Sequence, residues 1–468
     1  MKKILVSEAF PLNRLLFILT TISHYEPSAV FFFSPSEVNF IKHSGGDLFD
    51  FLNKKFTIVT LSGTNRKIFN KMKFIFSLPI ILARLYLLYD APFKIAHSEL
   101  SLLFMSDDQK RPSTFQKLRS LYYLREKECE INALNIPNFD LVVLGHKVYA
   151  SRLLYNFALS SGVKIVLYGS NNFQILSRSS EILPFLLPTA ELTKKFEVSS
   201  LRERSAAYWE RRLLGDIAYS DAREASQIQV RIDVAYPANV VLLHVFKDSP
   251  NFSIDSDRVF NDYFDWMRAV LDIIRRSPER WAIRLHPSSG KWGENQMKVI
   301  DALDVSSVID GSRVILDDHL VSNTYILKHC QRIVTFQGSV VLEAVAMGRR
   351  PVCVSCFSDV QRFLDLKLQA ASIKDLEKYC LSTVEYWFKP PSDLQIQKAK
   401  FLIYLKEVVL SFNVLSKVKL RSRGEEASND LISEMKLFNE ELSKFKHIFW
   451  EFLNSSDNQI FPVVEGYE

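Results

Sequence analysis

Two short stretches carry residue types that suit phosphate and sugar chemistry. In Arg284-Leu285-His286-Pro287-Ser288-Ser289 an imidazole follows the apolar run Trp281-Ala282-Ile283, and a proline comes straight after it. Proline cannot donate to a sheet ladder, so it stops the strand and leaves His286 at the strand's carboxyl edge. There an imidazole can donate to a phosphate oxygen or to the edge of a base or ribose. Arg284 lies two residues earlier, hence on the same strand face. The plain alternative for a His-Pro pair by itself is a surface histidine bonded to a loop carbonyl.

The second stretch is Ile333-Val334-Thr335-Phe336-Gln337-Gly338-Ser339, followed by Val340-Val341-Leu342-Glu343-Ala344-Val345-Ala346-Met347-Gly348. It predicts a strand, a small-residue turn and a helix closed by Gly348. Free amides and the positive end of the helix dipole would face a ligand phosphate. Ser339 would cap the helix or bond the phosphate directly. Glu343 lies one turn further along the same face and suits a pair of ribose hydroxyls. The alternative is a capped core helix whose glutamate is satisfied within the protein.

Three further loops offer weaker candidates. His244-Val245-Phe246-Lys247-Asp248-Ser249-Pro250-Asn251 follows an apolar strand. Lys247 could neutralise a donor phosphate and Asp248 could orient it, although Asp-Ser-Pro-Asn is also ordinary turn chemistry. Asp317-Asp318-His319 follows Val314-Ile315 and reads as structural or base-contacting rather than metal-binding, because adjacent carboxylates point differently. In the first half Glu8 follows one strand pattern and Gly145-His146-Lys147 follows another. Glu8 or His146 has the right chemistry for a base that activates an acceptor hydroxyl.

These residues need strands to position them, and the chain supplies the pattern. Short apolar runs at Ile4–Val6, Ala29–Phe33, Phe56–Leu61, Leu141–Leu144 and Ile165–Tyr168 alternate with helical stretches. The second half repeats the alternation at Val240–Val245, Ala282–Leu285, Val314–Ile315, Arg332–Thr335 and Pro351–Val354. Such alternation indicates parallel sheets with crossover helices. Ligands of open α/β sheets bind beyond the carboxyl ends of strands, where each candidate falls. The expected fold is therefore α/β and GT-B-like: two Rossmann-like domains with parallel sheets facing a cleft, plus C-terminal helices. The expected boundaries are 1–235 for an acceptor-side domain with a helical insert or linker at about 180–235, then 236–375 for a nucleotide-sugar domain. A helical extension takes up 376–468, with a loose end after Asn454.

Composition narrows the function classes. The 468 residues are 47% hydrophobic and 24% charged, which is globular and long enough for two cores. A net charge of +6 suits phosphate-bearing substrates or an anionic surface, but there is no arginine-rich arm and no zinc-ligand spacing, so nucleic acid is not an expected partner. The five cysteines have no scaffold spacing, and Cys353-Val354-Ser355-Cys356 lacks a second pair, so buried free thiols in a reducing cytoplasm are expected. Met1 to Val6 reads as a first strand rather than a secretion signal, since Ser7-Glu8 interrupts it. The longest apolar segment, Phe74 to Tyr89, contains Pro79 and Arg84 and is short for a bilayer span. It follows Arg66, Lys67, Lys71 and Lys73, and reads as a buried amphipathic helix with a basic approach. Peripheral association with an anionic inner membrane is the alternative.

Arg284-Leu285-His286-Pro287, joined to the Gln337 to Pro351 stretch, resembles the bacterial capsule polysaccharide biosynthesis family. That family includes the β-Kdo transferases, which use CMP-Kdo, and shares a His-Pro element with several bacterial sialyltransferases. His244 to Pro250 and Tyr263-Phe264-Asp265-Trp266 are similar to segments of surface-polysaccharide proteins of this type. The resemblance spans about 240 to 360 and is moderate in specificity. It implies a glycosyltransferase in capsule or lipopolysaccharide biosynthesis, in which His286 and Ser339 hold the nucleotide phosphate and Glu343 lies near the ribose. The expected partners are a nucleotide-sugar donor and a glycan or glycolipid acceptor. With CMP as leaving group no metal and no further cofactor is required. A nucleotide-sugar epimerase and a non-catalytic glycan-binding or export-assembly protein remain the alternatives.

Overall fold

A computed structural model of the chain describes residues 1–7, 12–44, 48–61, 67–86, 91–104, 112–145, 149–168, 174–176, 189–215, 236–245, 259–260, 263–290, 293–302, 309, 311, 313–354, 358–381, 389–409, 443–454 and 459–460. It has two compact units, each a Rossmann-like α/β domain, the two-domain composition expected of the GT-B class. Unit one comprises 1–100, 118–185 and 408–468, and unit two comprises 101–117 and 186–407.

The sheet of unit one is built from β1 (Lys3–Ser7), β2 (Val30–Phe33), β3 (Thr57–Thr60), β4 (Leu141–Leu144), β5 (Lys164–Leu167) and β6 (Gln174–Leu176). Its parallel part runs β5-β4-β1-β2-β3, and β6 adds antiparallel to β5. β4 is buried along its whole length, as a near-continuous apolar strand covered on both faces must be. Two clusters fill the two faces. Ile4, Val6, Phe31 and Phe33 meet the helix Leu12–Tyr25 on one, and Leu5, Val142, Leu144 and Ile165 meet the helix Ser151–Ser160 on the other.

The C-terminal helix Ser443–Asn454 belongs to this unit. Phe449 packs on Phe17 with ring centroids 4.8 Å apart, and Trp450 stacks on Tyr25 at 5.2 Å. The chain after Asn454 is not wholly loose, because Gln459–Ile460 forms a strand antiparallel to β6. The sequence hides this pairing, since a two-residue edge strand carries no periodicity. The basic stretch Lys417–Arg423 lies outside the described residues.

Unit two repeats the topology with β7 (Asn239–Leu242), β8 (Trp281–Arg284), β9 (Val314–Asp317), β10 (Arg332–Thr335) and β11 (Val352–Cys353). The order is β11-β10-β7-β8-β9, all parallel. Strand order therefore reverses between β7 and β10, as it does between β1 and β4 in unit one. The helix Tyr263–Arg276 shows why the sequence folds this way. Tyr263, Phe264, Trp266, Met267, Val270, Leu271, Ile273 and Ile274 recur at helical spacing and are all buried.

The helices Thr189–Phe196 and Ser199–Leu213, expected as an insert of the first domain, pack in unit two. Phe196 meets Phe363 at 5.8 Å and Phe401 at 5.3 Å, and Thr189 donates to Asp359 Oδ1 at 2.6 Å. Arg212 fixes the second of these helices by bonding Glu407 Oε2 through Nε at 3.0 Å and Glu343 Oε1 through Nη2 at 3.0 Å, while Tyr208 donates to Glu407 at 2.7 Å. All four side chains are buried. Of the cysteines, Cys330, Cys353 and Cys380 are buried free thiols as expected, whereas Cys129 is exposed, and Cys356 lies outside the described residues.

Removing the shared cation would leave two carboxylates buried and uncompensated. Arg212→Met is expected to lower stability by about 3–5 kcal/mol in urea unfolding. Arg212→Lys should recover only part of this, because an ammonium lacks the planar fork that serves both partners. A cost below about 1 kcal/mol for the methionine variant would refute the role given to the triad.

Candidate functional site

The parallel register of unit two sets its carboxyl edge. Thr335, Leu242, Arg284 and Asp317 stand side by side across β10, β7, β8 and β9. Two residues beyond these strand ends come Gln337, His244, His286 and His319. Gln337, His244 and His286 gather in one row from three separate loops. Its centre lies at the strand-order reversal between β7 and β10, where open α/β sheets bind ligands. There Gln337 Nε2 approaches His244 Nε2 at 3.5 Å, and the His244 and His286 rings lie 5.7 Å apart at 72°.

One side chain ties the loops together. Gln296, at the start of the helix Gln296–Ala302, accepts from the His286 backbone amide at 2.6 Å and donates to the His244 carbonyl at 3.0 Å. Its amide is buried and spans the ends of β7 and β8. The Tyr263 hydroxyl accepts from the His244 backbone amide. Tyr263 also packs on Phe336 at 5.0 Å and on Trp266 at 4.9 Å, giving Gln337 and Gly338 an aromatic support. Neither Gln296 nor this use of Tyr263 is visible in the sequence. A glutamine and a tyrosine carry no positional signal of their own, and only the fold brings them to the loops.

His286 accepts at Nδ1 from the Ser288 backbone amide at 3.1 Å, so the neutral ring carries its proton on Nε2. Pro287 heads the turn, which closes from the Ser289 amide to the His286 carbonyl at 3.1 Å. Burial, reinforced by the nearby His319, lowers the His286 pKa from 6.5 to about 4. Burial, reinforced by His286, lowers that of His244 to about 3. Both residues are half-buried, and their rings are neutral at pH 7. Among the described residues, two neutral imidazoles and a carboxamide make a site of hydrogen-bond donors.

Gly338 has φ +125°, which only glycine adopts readily, and a Cβ placed there would meet nothing within 4 Å. The backbone beside Gln337 is therefore open to close approach. Gly348, at φ +74°, closes the following helix, with the Arg349 amide bonded to the Ala344 carbonyl at 2.8 Å. The Ser339 hydroxyl makes no cap bond to the helix it begins.

Two of the expected donor-site residues have other partners. Arg284 shares the face of His286, as alternation requires, but is 2% exposed and pairs with fully buried Asp317 at 2.7 Å. Asp317 also accepts from the Tyr236 hydroxyl at 2.6 Å and the Leu320 amide at 2.6 Å. This pair is a foundation beneath the row. Glu343 is buried on a helix whose residues 341–346 are all enclosed, and its Oε1 is bonded by Arg212. Asp317 is buried and Asp318 exposed, so the neighbouring carboxylates do diverge. Glu8, His146, Lys247 and Asp248 lie outside the described residues. β1 and β4, which precede Glu8 and His146 in sequence, are paired neighbours. Among the described residues no group of three or more His, Cys, Asp or Glu is placed to hold a metal ion.

The depressed histidine pKa values fix a sign for the pH response. Each ring is neutral in the fold at a pH where it would be charged in the unfolded chain. Their contribution to stability is therefore complete above pH 6.5 and falls as the pH drops from 6.5 towards about 4 for His286 and about 3 for His244. Thermal unfolding followed from pH 7.5 down to about 4 should show this decline, and the double variant His244→Gln/His286→Gln should flatten it. Ring proton shifts that titrate near 6.5 would contradict the enclosed geometry.

No protein-family model matches the sequence, and no curated protein matches it. Among solved structures it is similar to UDP-GlcNAc 2-epimerase from Neisseria meningitidis bound to UDP-GlcNAc, at 12% identity and a TM-score of 0.27, over 87% of this chain and 99% of that one. It is similar to MnaA of S. aureus in a co-structure with UDP, at 11% identity and a TM-score of 0.30, over 91% and 99%. It is also similar to the glycosyltransferase VinC in complex with dTDP, at 12% identity and a TM-score of 0.27, over 90% and 98%. Likenesses this distant carry no argument about this chain's activity.

Proposed function

We propose that this chain is a glycosyltransferase that takes a sugar from a nucleotide donor held at the carboxyl edge of β7, β8 and β10. The observation that carries this reading is the row Gln337, His244 and His286 at the strand-order reversal of a Rossmann-like sheet. Such a crevice binds nucleotides in open α/β folds, and this one presents donors with an open glycine backbone beside them.

The chemistry follows from the neutral tautomer of His286. As the bond between the anomeric carbon and the phosphate oxygen breaks, negative charge grows on the leaving phosphate. The His286 Nε2–H and the Gln337 amide are donors able to stabilise that charge where it develops. The acceptor hydroxyl attacks the anomeric carbon and its proton passes to a base. Glu8 and His146 are the residues proposed for that base. Ser339, whose hydroxyl caps nothing, is proposed as a further phosphate contact. Lys247 and Asp248 are proposed to lie on the donor side. Glu343 acts through its ion pair, which holds the helix after Gly338. The family resemblance of the His-Pro and Gln-Gly-Ser segments supports an acidic sugar such as Kdo from a CMP donor. It supports a surface polysaccharide or lipid-linked glycan as acceptor.

A thermal-shift panel of CMP, UDP and GDP tests the reading. One nucleotide is expected to stabilise the protein, by about 2.7 kcal/mol at a hundred times its Kd. His286→Ala and Gln337→Ala should each weaken that nucleotide about tenfold or more. No response to any of the three from the folded wild type would sink the proposal. Turnover of the donor without any acceptor, yielding an epimerised sugar, would assign an epimerase instead.

A further inference from the structure

The helix Lys67–Tyr86 of unit one, expected to be buried, exposes Ile75, Phe76 and Ile80 instead, and no described residue selects a partner for that face. A cavity of about 780 Å³ within unit two is different, because its charge defines what it can hold. Arg350, Arg362, Lys367 and Lys389 line it, against a single carboxylate, Asp365. Arg350 stands two residues before β11, and Lys367 two residues before Gln369, which bridges in parallel to Cys353. Both therefore mark the amino edge of the sheet, the opposite edge from the row of Gln337, His244 and His286. Nothing in the proposed sugar transfer uses this cavity.

Hydrogen bonds fix its walls. Arg350 is 9% exposed and donates through Nη2 to the Lys367 carbonyl at 3.2 Å. Gln361 accepts at Oε1 from the Leu368 and Gln369 amides at 2.9 and 3.1 Å. Gln395 accepts from the Ser392 amide at 2.9 Å and donates to the Asp365 carbonyl at 2.6 Å, tying the end of the helix Ser358–Leu364 to the start of the helix Asp393–Tyr404. The Ser392 hydroxyl accepts from the Gln395 amide at 3.3 Å, so the second helix is already capped and the charge of the cavity comes from its side chains. Asp365 has φ +52°, and the Leu366 amide beside it bonds the Gln361 carbonyl at 3.1 Å.

The electrostatics point to an anion with hydroxyl groups. Among the described residues no ion pair engages Arg362, Lys389 or Asp365, while Lys367 has Asp375 at 3.7 Å. Cations gathered around one concavity repel one another, and an anion placed there relieves the repulsion. Four cations less Asp365 and Asp375 leave two positive charges, close to the charge of about −1.5 to −2 on one phosphate group at pH 7. Guanidinium forks match phosphate oxygens. Asp365 would repel a phosphate but accept from hydroxyls. Among the described residues no aromatic side chain lines the cavity, so none stacks a nucleobase.

We propose that this cavity binds a sugar phosphate, with the phosphate among the four cations and Asp365 accepting from sugar hydroxyls. The proposal does not rest on the sugar-transfer reading.

Calorimetric titration of the full chain with glucose 1-phosphate and with inorganic phosphate tests it. The wild type should bind the sugar ester more tightly than the free anion. His286→Ala/Gln337→Ala, which disables the carboxyl-edge row, should bind it as the wild type does. Arg362→Gln/Lys389→Gln should weaken it at least about tenfold with an unchanged melting temperature, because both positions are exposed. Asp365→Asn keeps a residue type that tolerates the left-handed backbone, and should weaken the sugar ester about fivefold while strengthening inorganic phosphate. Absence of saturable binding of glucose 1-phosphate by the wild type would overturn the proposal, as would its loss in His286→Ala/Gln337→Ala or undiminished binding by Arg362→Gln/Lys389→Gln. Inorganic phosphate bound as tightly as the ester would overturn it equally.

Discussion

The parallel pairing of β7 with β10 on one side and β8 on the other is the constraint on which the candidate site rests. Side chains alternate along a strand, so a slip of one residue in any of these pairings would turn His244, His286 or Gln337 to the opposite face. The register is held by burial. Val240, Ala282 and Ile333 face one core cluster, which a one-residue slip of any of these strands would break. The same pairing creates the reversal of strand order, and with it the gap into which the three polar side chains project.

Buried charge gives this edge its second layer of definition. Arg284 and Asp317 sit one pleat below the row, and Tyr236 donates to Asp317 from the chain just before β7. An ion pair of this kind is a modest source of net stability, but breaking it is costly, and it therefore locks the ends of β8 and β9 in one arrangement. Arg212 does the same for the helix after Gly338, joining it to the helix Ser199–Leu213 and to Glu407. Gln296 then links the loops themselves. The His286 ring is further held at Nδ1 by the Ser288 backbone amide.

Local pattern alone determined the α/β alternation, the strands from β1 to β5 and from β7 to β11 to within a few residues, and the placement of His286 and Gln337 at strand ends. Apolar period, proline and glycine act over a few residues, so they are legible in a linear chain. Tertiary structure decided what each candidate side chain faces. Arg284 and Glu343 have the right residue type in the right place, yet their distant partners Asp317 and Arg212 enclose them. Gln296 and Tyr263 entered the site because the fold carries them to backbone groups far away in sequence. The helix Lys67–Tyr86 shows the same limit from the other side. Apolar residues at helical spacing say that a helix has something to bury, but which face the protein covers depends on neighbours that only the folded chain supplies.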